Sequence, residues 1–452
     1  MTIAMRPQPG PAREYHFPRF VRDRLENGMN VIVSTVSKLP IVSVAAVIDA
    51  TAVADKKGKE GTAELTAQAL KEGTTSRDGV KLALNLEKLG TSLEAGADWD
   101  STVASVTVLK DNLVSAFEIL SEVILSPAFR EDDIARLKAE RLAERMQILD
   151  EPRGLADETF ARFVYADKAR FSRPMSGSTK SVLAIRREDI ENFYKRHYVP
   201  QGTTLIFAGD ITPEEGMRLA ESTFGTWRGK RSPSRVNADS PARDSRAIEI
   251  VARPEAAQSE IRIGHVGVPR SHPDYFRIVV MNAVLGGLFS SRINLNLREA
   301  HGYTYGASSY FDWRRQSGPF AISTAVQSEV TGAAISETLK EIGRMREEEI
   351  GEDELTLATS YLEGVFPIRY ETTAAIALAL ANLTTFGLPE DYYDTYRENI
   401  AAVTTRHVLN AARKYVKPEE LQVVVVGAEE IVREQVEKLG VGPVSVKGTV
   451  EA

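Results

Sequence analysis

The stretch Gly286 to Trp313, GGLFSSRINLNLREAHGYTYGASSYFDW, sets how the rest of the chain is read. Phe289, Ile293 and Leu297 recur every four residues, the spacing of one helical face, and Gly302 follows as a helix-ending glycine. From Tyr303 onward the pattern alternates as a strand does, so the segment reads as helix, reversal, strand. The reversal can bring Arg298, one turn before the helix end, beside Tyr305, early in the strand. Gly286-Gly287 reads as a turn ahead of the helix.

The segment closes on Asp312-Trp313, and the same pair occurs earlier as Asp98-Trp99, again after a short stretch of Gly, Ser and Thr or Ala. Two more landmarks repeat in the same order. Tyr198-Val199 before Pro200 matches Tyr415-Val416 before Pro418, and the apolar run ending at Gly209 matches the run ending at Gly427. Each later landmark follows its counterpart by 214 to 218 residues. A slowly growing offset in constant order is what a duplicated domain with small insertions leaves behind.

Within each half, short β-branched runs read as strands: 31–36, 42–48, 103–108 and 204–208, then 248–251, 261–266, 320–325 and 421–426. Helical stretches lie between them. Leu113, Phe117, Leu120 and Ile124 share one helical face. Thr212-Pro213-Glu214-Glu215 supplies an N-cap, a first-turn proline and a capping-box glutamate for a helix running to Gly225. Strand pairs alternating with pairs of helices indicate an α+β fold: two similar domains, each a mostly antiparallel or mixed sheet covered by helices. The charged, Ser- and Pro-rich segment 228–247 has almost nothing to bury and reads as the linker, dividing the chain into domains 1–237 and 238–452. Strands at 93–97 and 308–311 can dock an extended peptide by edge pairing, fill the sheet interior or form a dimer edge.

Composition excludes several functions. The 452 residues contain no Cys, so there is no disulfide framework, iron–sulfur ligation or thiol nucleophile. No two of the six His are three or four residues apart, so none form a helical ligand pair. Sixty-three acidic against 56 basic residues give a net charge of −7, the wrong sign for a general nucleic-acid binder. Residues 1–20 have no apolar core of a leader, and no uninterrupted apolar run approaches the roughly 20 residues of a bilayer span. The expectation is a cytoplasmic protein without a membrane span, a periplasmic one being the alternative.

Gly61 to Thr74, GTAELTAQALKEGT, resembles the metal-binding helix of the pitrilysin/insulinase family of inverzincin peptidases, with Gly61, Ala63, Gly73 and Thr74 in register. The family carries H-x-x-E-H there; this chain has Glu64, Ala67 and Gln68. Glu144, eight residues before Pro152, stands where the family has its third ligand. Both histidine positions and the general base are therefore replaced, and the resemblance implies no zinc in this chain. Glu64, Gln68 and Glu144 then serve as hydrogen-bonded helix contacts or, as the weaker reading, as oxygen ligands for a hard cation. The likeness extends over nearly the whole chain, through 90–108, 125–129 and 177–209. The 286–313 segment resembles the family's L-R-E-x-x-G-x-x-Y motif, which assigns Arg298 and Tyr305 to the second part of an active site.

The resemblance implies two domains that close around a peptide. It also implies a division of labour, in which this chain is the non-zinc subunit of a heterodimer or larger oligomer and a homologous partner carries zinc. Arg298 would hold a peptide carbonyl or carboxylate, and Tyr305 would donate to the oxyanion formed during hydrolysis. The alternatives are a structural or assembly subunit, like the core proteins of the respiratory cytochrome complex, and a carrier that binds peptide or a cofactor precursor without catalysis. The acidic runs 347–349 and 352–354 read as solvated helix face.

Overall fold

The computed structural model describes residues 14–231, 236–254 and 256–448. The leader reading rests mostly on residues 1–13, and part of the linker reading on 232–235, all outside the described residues. Runs of Val and Ile bounded by turns form two sheets of six strands each. The first contains β1 (Val21–Arg24), β2 (Asn30–Thr35), β3 (Ile41–Ile48), β4 (Glu94–Ala97), β5 (Thr102–Leu109) and β6 (Thr203–Gly209), in the order β1-β2-β6-β3-β5-β4. The second contains β7 (Ala247–Ala252), β8 (Gln258–Val266), β9 (Ala307–Phe311), β10 (Pro319–Gln327), β11 (Gln422–Gly427) and β12 (Val444–Lys447), in the order β12-β7-β11-β8-β10-β9.

From the second position inward the two orders are the same. β2 runs parallel to β6 as β7 does to β11, and the remaining inner pairs are antiparallel. The first strand in each order is the exception. β1 precedes its neighbour and lies antiparallel to it, whereas β12 comes from the far end of the chain and lies parallel. These are the two mixed, helix-covered α+β domains of a duplicated fold. The expected caps are present as well: Thr212 and Glu215 form a reciprocal capping box, and Leu113–Leu125 is a helix whose Leu113, Phe117, Leu120 and Ile124 are buried.

The central strands read as continuous apolar runs because both of their faces are covered. On β3, Val42, Val44, Ala46 and Ile48 pack with helices of their own half, while Ala45 and Val47 face the other way. That opposite face is covered by the helix Thr373–Phe386 from the second half, through Ile376, Leu380 and Leu383. Ser43 Oγ and Thr373 Oγ1 share a hydrogen bond of 2.8 Å across this contact. The exchange is reciprocal. The helix Pro152–Val164 of the first half packs Leu155 and Phe160 against Val424 and Val426 of β11. Each half therefore lends the other a helix. Each fully buried apolar side chain there contributes about 2 kcal/mol.

The linker is tied down more firmly than its composition suggests. Ala238 is fully buried, Pro241 forms a β-bridge with Tyr165, and the Ala242 N–H donates to the Val164 carbonyl at 2.8 Å. The small residues that looked unable to bury anything fit close against the chain 164–171.

The stretch Tyr275–Ala300 is long and apolar enough in composition for a bilayer span, but most of its apolar residues pack into the core. Ile278, Val280, Met281, Leu285, Ile293 and Leu297 lie in the second half's hydrophobic cluster, and Leu288 breaks the helix with extended backbone (φ −114°, ψ 157°).

Candidate functional site

The motif helix Thr62–Ala69 follows Gly61, whose φ of 98° lies in the left-handed region. A Cβ there would come within 2.5 Å of the Ser176 carbonyl oxygen, so glycine is required. The Asp55 carboxylate accepts the Gly61 and Ala63 N–H groups at 2.9 Å each and pairs with the buried Arg170 guanidinium at 3.1 Å. Burial pushes the Asp55 carboxyl up to about 6, against the pull of Arg170 and the two N–H donors. The helix is thus anchored at its start.

Its outward side chains meet the long helix Glu131–Asp150. Arg141 donates to Glu64 Oε1 at 2.5 Å, and its other terminal nitrogen lies 3.0 Å from Glu144 Oε2. The Glu64 side chain is 15% exposed and that of Glu144 56%. Burial raises the Glu64 pKa above the usual carboxylate range, with Arg141 pulling it down and Glu144 pushing it further up. Ala67 is fully buried, and Gln68, half-buried, stands one turn from Glu64.

A guanidinium therefore sits between Glu64 and Glu144. The donor set of two carboxylates, no imidazole and a resident cation does not fit zinc, which takes N, S and O ligands in a closed tetrahedron. It suits a hard cation no better, because Arg141 already supplies the positive charge. Among the described residues, no group of three or more His, Asp or Glu is arranged to hold a metal ion.

The second half differs from the sequence reading in three places. Gly286-Gly287 is the end of a π-helical segment (Ala283–Gly287) continuing the helix Tyr275–Asn282. A Cβ on Gly286 would lie 2.5 Å from Ser309 Oγ, so the glycine lets the helix press against β9. Phe289 is not on the following helix, which begins at Arg292 after the extended Ser291; it is 71% exposed while Ile293 and Leu297 are buried. Tyr305 lies in the loop before β9 rather than in the strand.

Gly302 ends the π-helical turn Leu295–Ala300 as expected, with φ 67°, and the Tyr303 N–H donates to the Leu297 carbonyl at 2.8 Å. Arg298 packs its guanidinium over the Phe289 ring, 4.5 Å from the centroid, with Glu299 3.5 Å away. Tyr305 is 92% exposed, and no hydrogen bond joins it to Arg298. Thr304 Oγ1 donates to the Gly306 carbonyl at 2.9 Å and accepts the Gly306 N–H at 3.0 Å. Thr324 adds hydrogen bonds of 3.1 Å to both residues. Phe289, Asn294 and Tyr305, with Glu151 and Arg153 from the first half and Glu260, line a cavity of about 1080 Å³. β4 and β9 are the outer strands of their sheets; Ser308 and Tyr310 of β9 are exposed, while Ala307, Ser309 and Phe311 turn inward.

Two residues of the acidic runs are not simply solvated: Glu354 clamps Arg292 through two hydrogen bonds of 2.7 Å, and Glu349 accepts from Arg406 at 2.9 Å and from Thr405 at 3.2 Å. Sequence reading also missed Arg141 and the Phe289–Arg298 contact. Arg141 had a signal, since a residue three before Glu144 shares its helical face. Phe289 had none, because its packing depends on the break at Leu288.

Two domains on one repeated pattern, a motif helix closed by Arg141, and Tyr305 lining a shared cavity with Arg298 stacked on Phe289 define a duplicated, peptidase-type chain. Residues 31–173 match the profile of Insulinase (Peptidase family M16), and residues 184–362 that of the Peptidase M16 inactive domain. The chain belongs to this insulinase/pitrilysin family. It is 23% identical over 396 residues to an uncharacterized zinc protease of Rickettsia felis, covering 86% of this chain and 93% of that one. A similar protein of Streptomyces coelicolor is 22% identical over 347 residues, covering 76% of this chain and 75% of that one. The fold superposes with TM-score 0.85 on a peptidase M16 inactive domain from Pseudomonas fluorescens (23% identity; 90% and 98% of the two chains). It superposes equally well on a protease from Helicobacter pylori (16% identity; 91% and 100%).

Proposed function

We propose that this chain is a catalytically inactive, peptide-binding subunit of the insulinase type that works beside a homologous, zinc-bearing chain. In this reading 1–237 and 238–452 are its two peptidase-like units. The observation that supports it best is Arg141 between Glu64 and Glu144. With a guanidinium there and alanine at 67, the chain has neither the histidines that hold zinc nor a carboxylate to take the proton of an activated water. Peptide contact is supported by the exposed Phe289 and Tyr305, which line the cavity.

A second reading, favoured by the exposure of Tyr305, gives the chain a part in its partner's chemistry. Arg298 then grips a peptide carbonyl or carboxylate, and the Tyr305 phenol donates to the oxyanion formed as the peptide bond is hydrolysed in a chamber between the two chains. A purely structural subunit has no chemical use for an exposed phenol held on a braced loop.

The test measures bound zinc and cleavage of a quenched fluorescent peptide by the chain alone, by its zinc-bearing homologue and by the mixture. The chain alone should bind labelled peptide, hold no zinc and cleave nothing. Chelator-sensitive hydrolysis by the chain alone overturns both readings. Tyr305→Phe in the mixture separates them: removing an oxyanion donor lowers turnover about 100-fold under the second reading and leaves it unchanged under the first.

A further inference from the structure

We propose that Asn294 is a positioning residue that holds the Arg298 and Tyr305 sides of the site in register; the proposal rests on the peptide-binding reading above. Asn294 is 3% exposed and lines the shared cavity. Its Nδ2 donates to the Phe289 carbonyl at 2.6 Å, and its Oδ1 accepts the Ala307 N–H at 3.0 Å. One contact fixes the backbone whose side chain lies under the Arg298 guanidinium. The other fixes the first residue of β9, two after Tyr305. Arg298 and Tyr305 share no hydrogen bond, yet one amide bridges the segments flanking both.

The chemistry leaves little choice of residue. A carbonyl on one side demands a donor and an N–H on the other demands an acceptor, which also fixes which way the amide faces. Aspartate keeps the acceptor and loses the donor; leucine loses both. The Thr304, Gly306 and Thr324 hydrogen bonds brace the same loop from the strand side. Tyr305 thus combines near-complete exposure with a backbone held at both ends, as suits a side chain presented to something outside the chain. Asn282 makes a parallel contact further along, donating to the Ser309 carbonyl at 3.0 Å and accepting from Ser309 Oγ at 2.8 Å. β9 is therefore stitched to the helices through backbone groups at 307 and 309 that face away from β10, and these contacts take up part of its outer edge.

The test uses the full chain carrying 3-fluorotyrosine, with the Tyr305 resonance identified through Tyr305→Phe, and a fluorescent extended peptide read by anisotropy. The wild type should give one sharp Tyr305 line. Asn294→Leu and Asn294→Asp should broaden or shift it, and Asn294→Leu should weaken peptide binding roughly tenfold. The loss should be non-additive with Arg298→Ala. Thr304→Val, which removes the hydroxyl contacts to Gly306 and Thr324 but leaves Thr324 its bond to the Gly306 carbonyl, should loosen the same line to a smaller degree and serves if the Asn294 variants do not fold. An unchanged Tyr305 line in the folded variants overturns the positioning role, as does altered dynamics with unchanged affinity. A wild type that binds no peptide sinks the peptide-binding reading instead, and the Tyr305 line then decides the positioning role alone.

Discussion

The motif helix of the first half and the Arg–Tyr segment of the second lie in equivalent connections of a duplicated fold, β3 to β4 and β8 to β9, but their polar groups are arranged in opposite ways. In the first half the polar groups are turned on each other: Arg141 joins Glu64 to Glu144, and Asp55 with Arg170 secures the helix start. In the second half they face outward, with Tyr305 almost fully exposed and Arg298 resting on an exposed Phe289. Charges satisfied internally support the fold, whereas an exposed hydroxyl beside a cavity is available to a ligand. The difference separates a cluster whose polar groups satisfy one another from a loop that presents a phenol to solvent.

Removing Arg141 should break that contrast most severely. Arg141→Ala leaves two neighbouring carboxylates, one of them buried, without a counter-charge, a loss of about 3 kcal/mol at pH 8. Glu64 already has a raised pKa, so stability associated with its proton is present at low pH and lost as pH rises through that pKa. The defect should accordingly shrink toward pH 4, as read by urea unfolding at both pH values. Equal loss at both would mean that Arg141 acts through packing alone.

Rebuilding the metal motif sharpens the same point. Glu64→His, Ala67→Glu and Gln68→His together restore the donors but leave the guanidinium in place. Calorimetric zinc titration should show weak binding, strengthened roughly 10- to 100-fold when Arg141→Gln is added. Tight zinc binding with Arg141 intact would show that the guanidinium swings aside without cost.

What was legible in the sequence follows this division. The strands were legible because runs such as 42–48 and 421–426 are buried on both faces, and the duplication because its landmarks are aromatic or glycine residues with fixed structural roles. That the second faces are covered by a helix from the other half was not legible, since an apolar run does not say which helix covers it. That Glu64, Ala67 and Gln68 differ from H-x-x-E-H is a comparison of residues and needs no structure. Arg141 escaped because it lies outside the motif, and Phe289 was assigned to a helix because the spacing continued through a break that only the backbone at Leu288 reveals.

A third prediction concerns the junction joining the two regions. Arg315, between β9 and β10, reaches Asp49 at 2.5 Å and donates its backbone N–H to Asp100 at 3.1 Å. Burial pushes the Asp100 carboxyl up to about 6, with the Arg315 N–H and charge opposing. A raised folded pKa means stability that is full below about pH 4 and lost as pH rises through about 6. Asp100→Asn removes the charge and keeps an acceptor for the N–H. It should therefore stabilise the chain by about 1 to 2 kcal/mol at pH 8 and by little at pH 4. A pH-independent effect would mean that Asp100 is ionised throughout.

The smallest effect is expected where the second half is most open. Tyr305→Ala removes a large side chain, yet at 92% exposure that side chain has almost no packing to lose. Its loop is held by backbone and threonine hydrogen bonds that the substitution leaves intact. The unfolding free energy should change by less than about 0.5 kcal/mol. Against the roughly 3 kcal/mol expected for Arg141, such a small change would give the comparison its energetic form: the first half's polar cluster is part of what holds the fold, and Tyr305 is not. A Tyr305→Ala chain destabilised as much as the Arg141 variant would place Tyr305 among the structural residues and remove the reason for expecting it to touch a peptide.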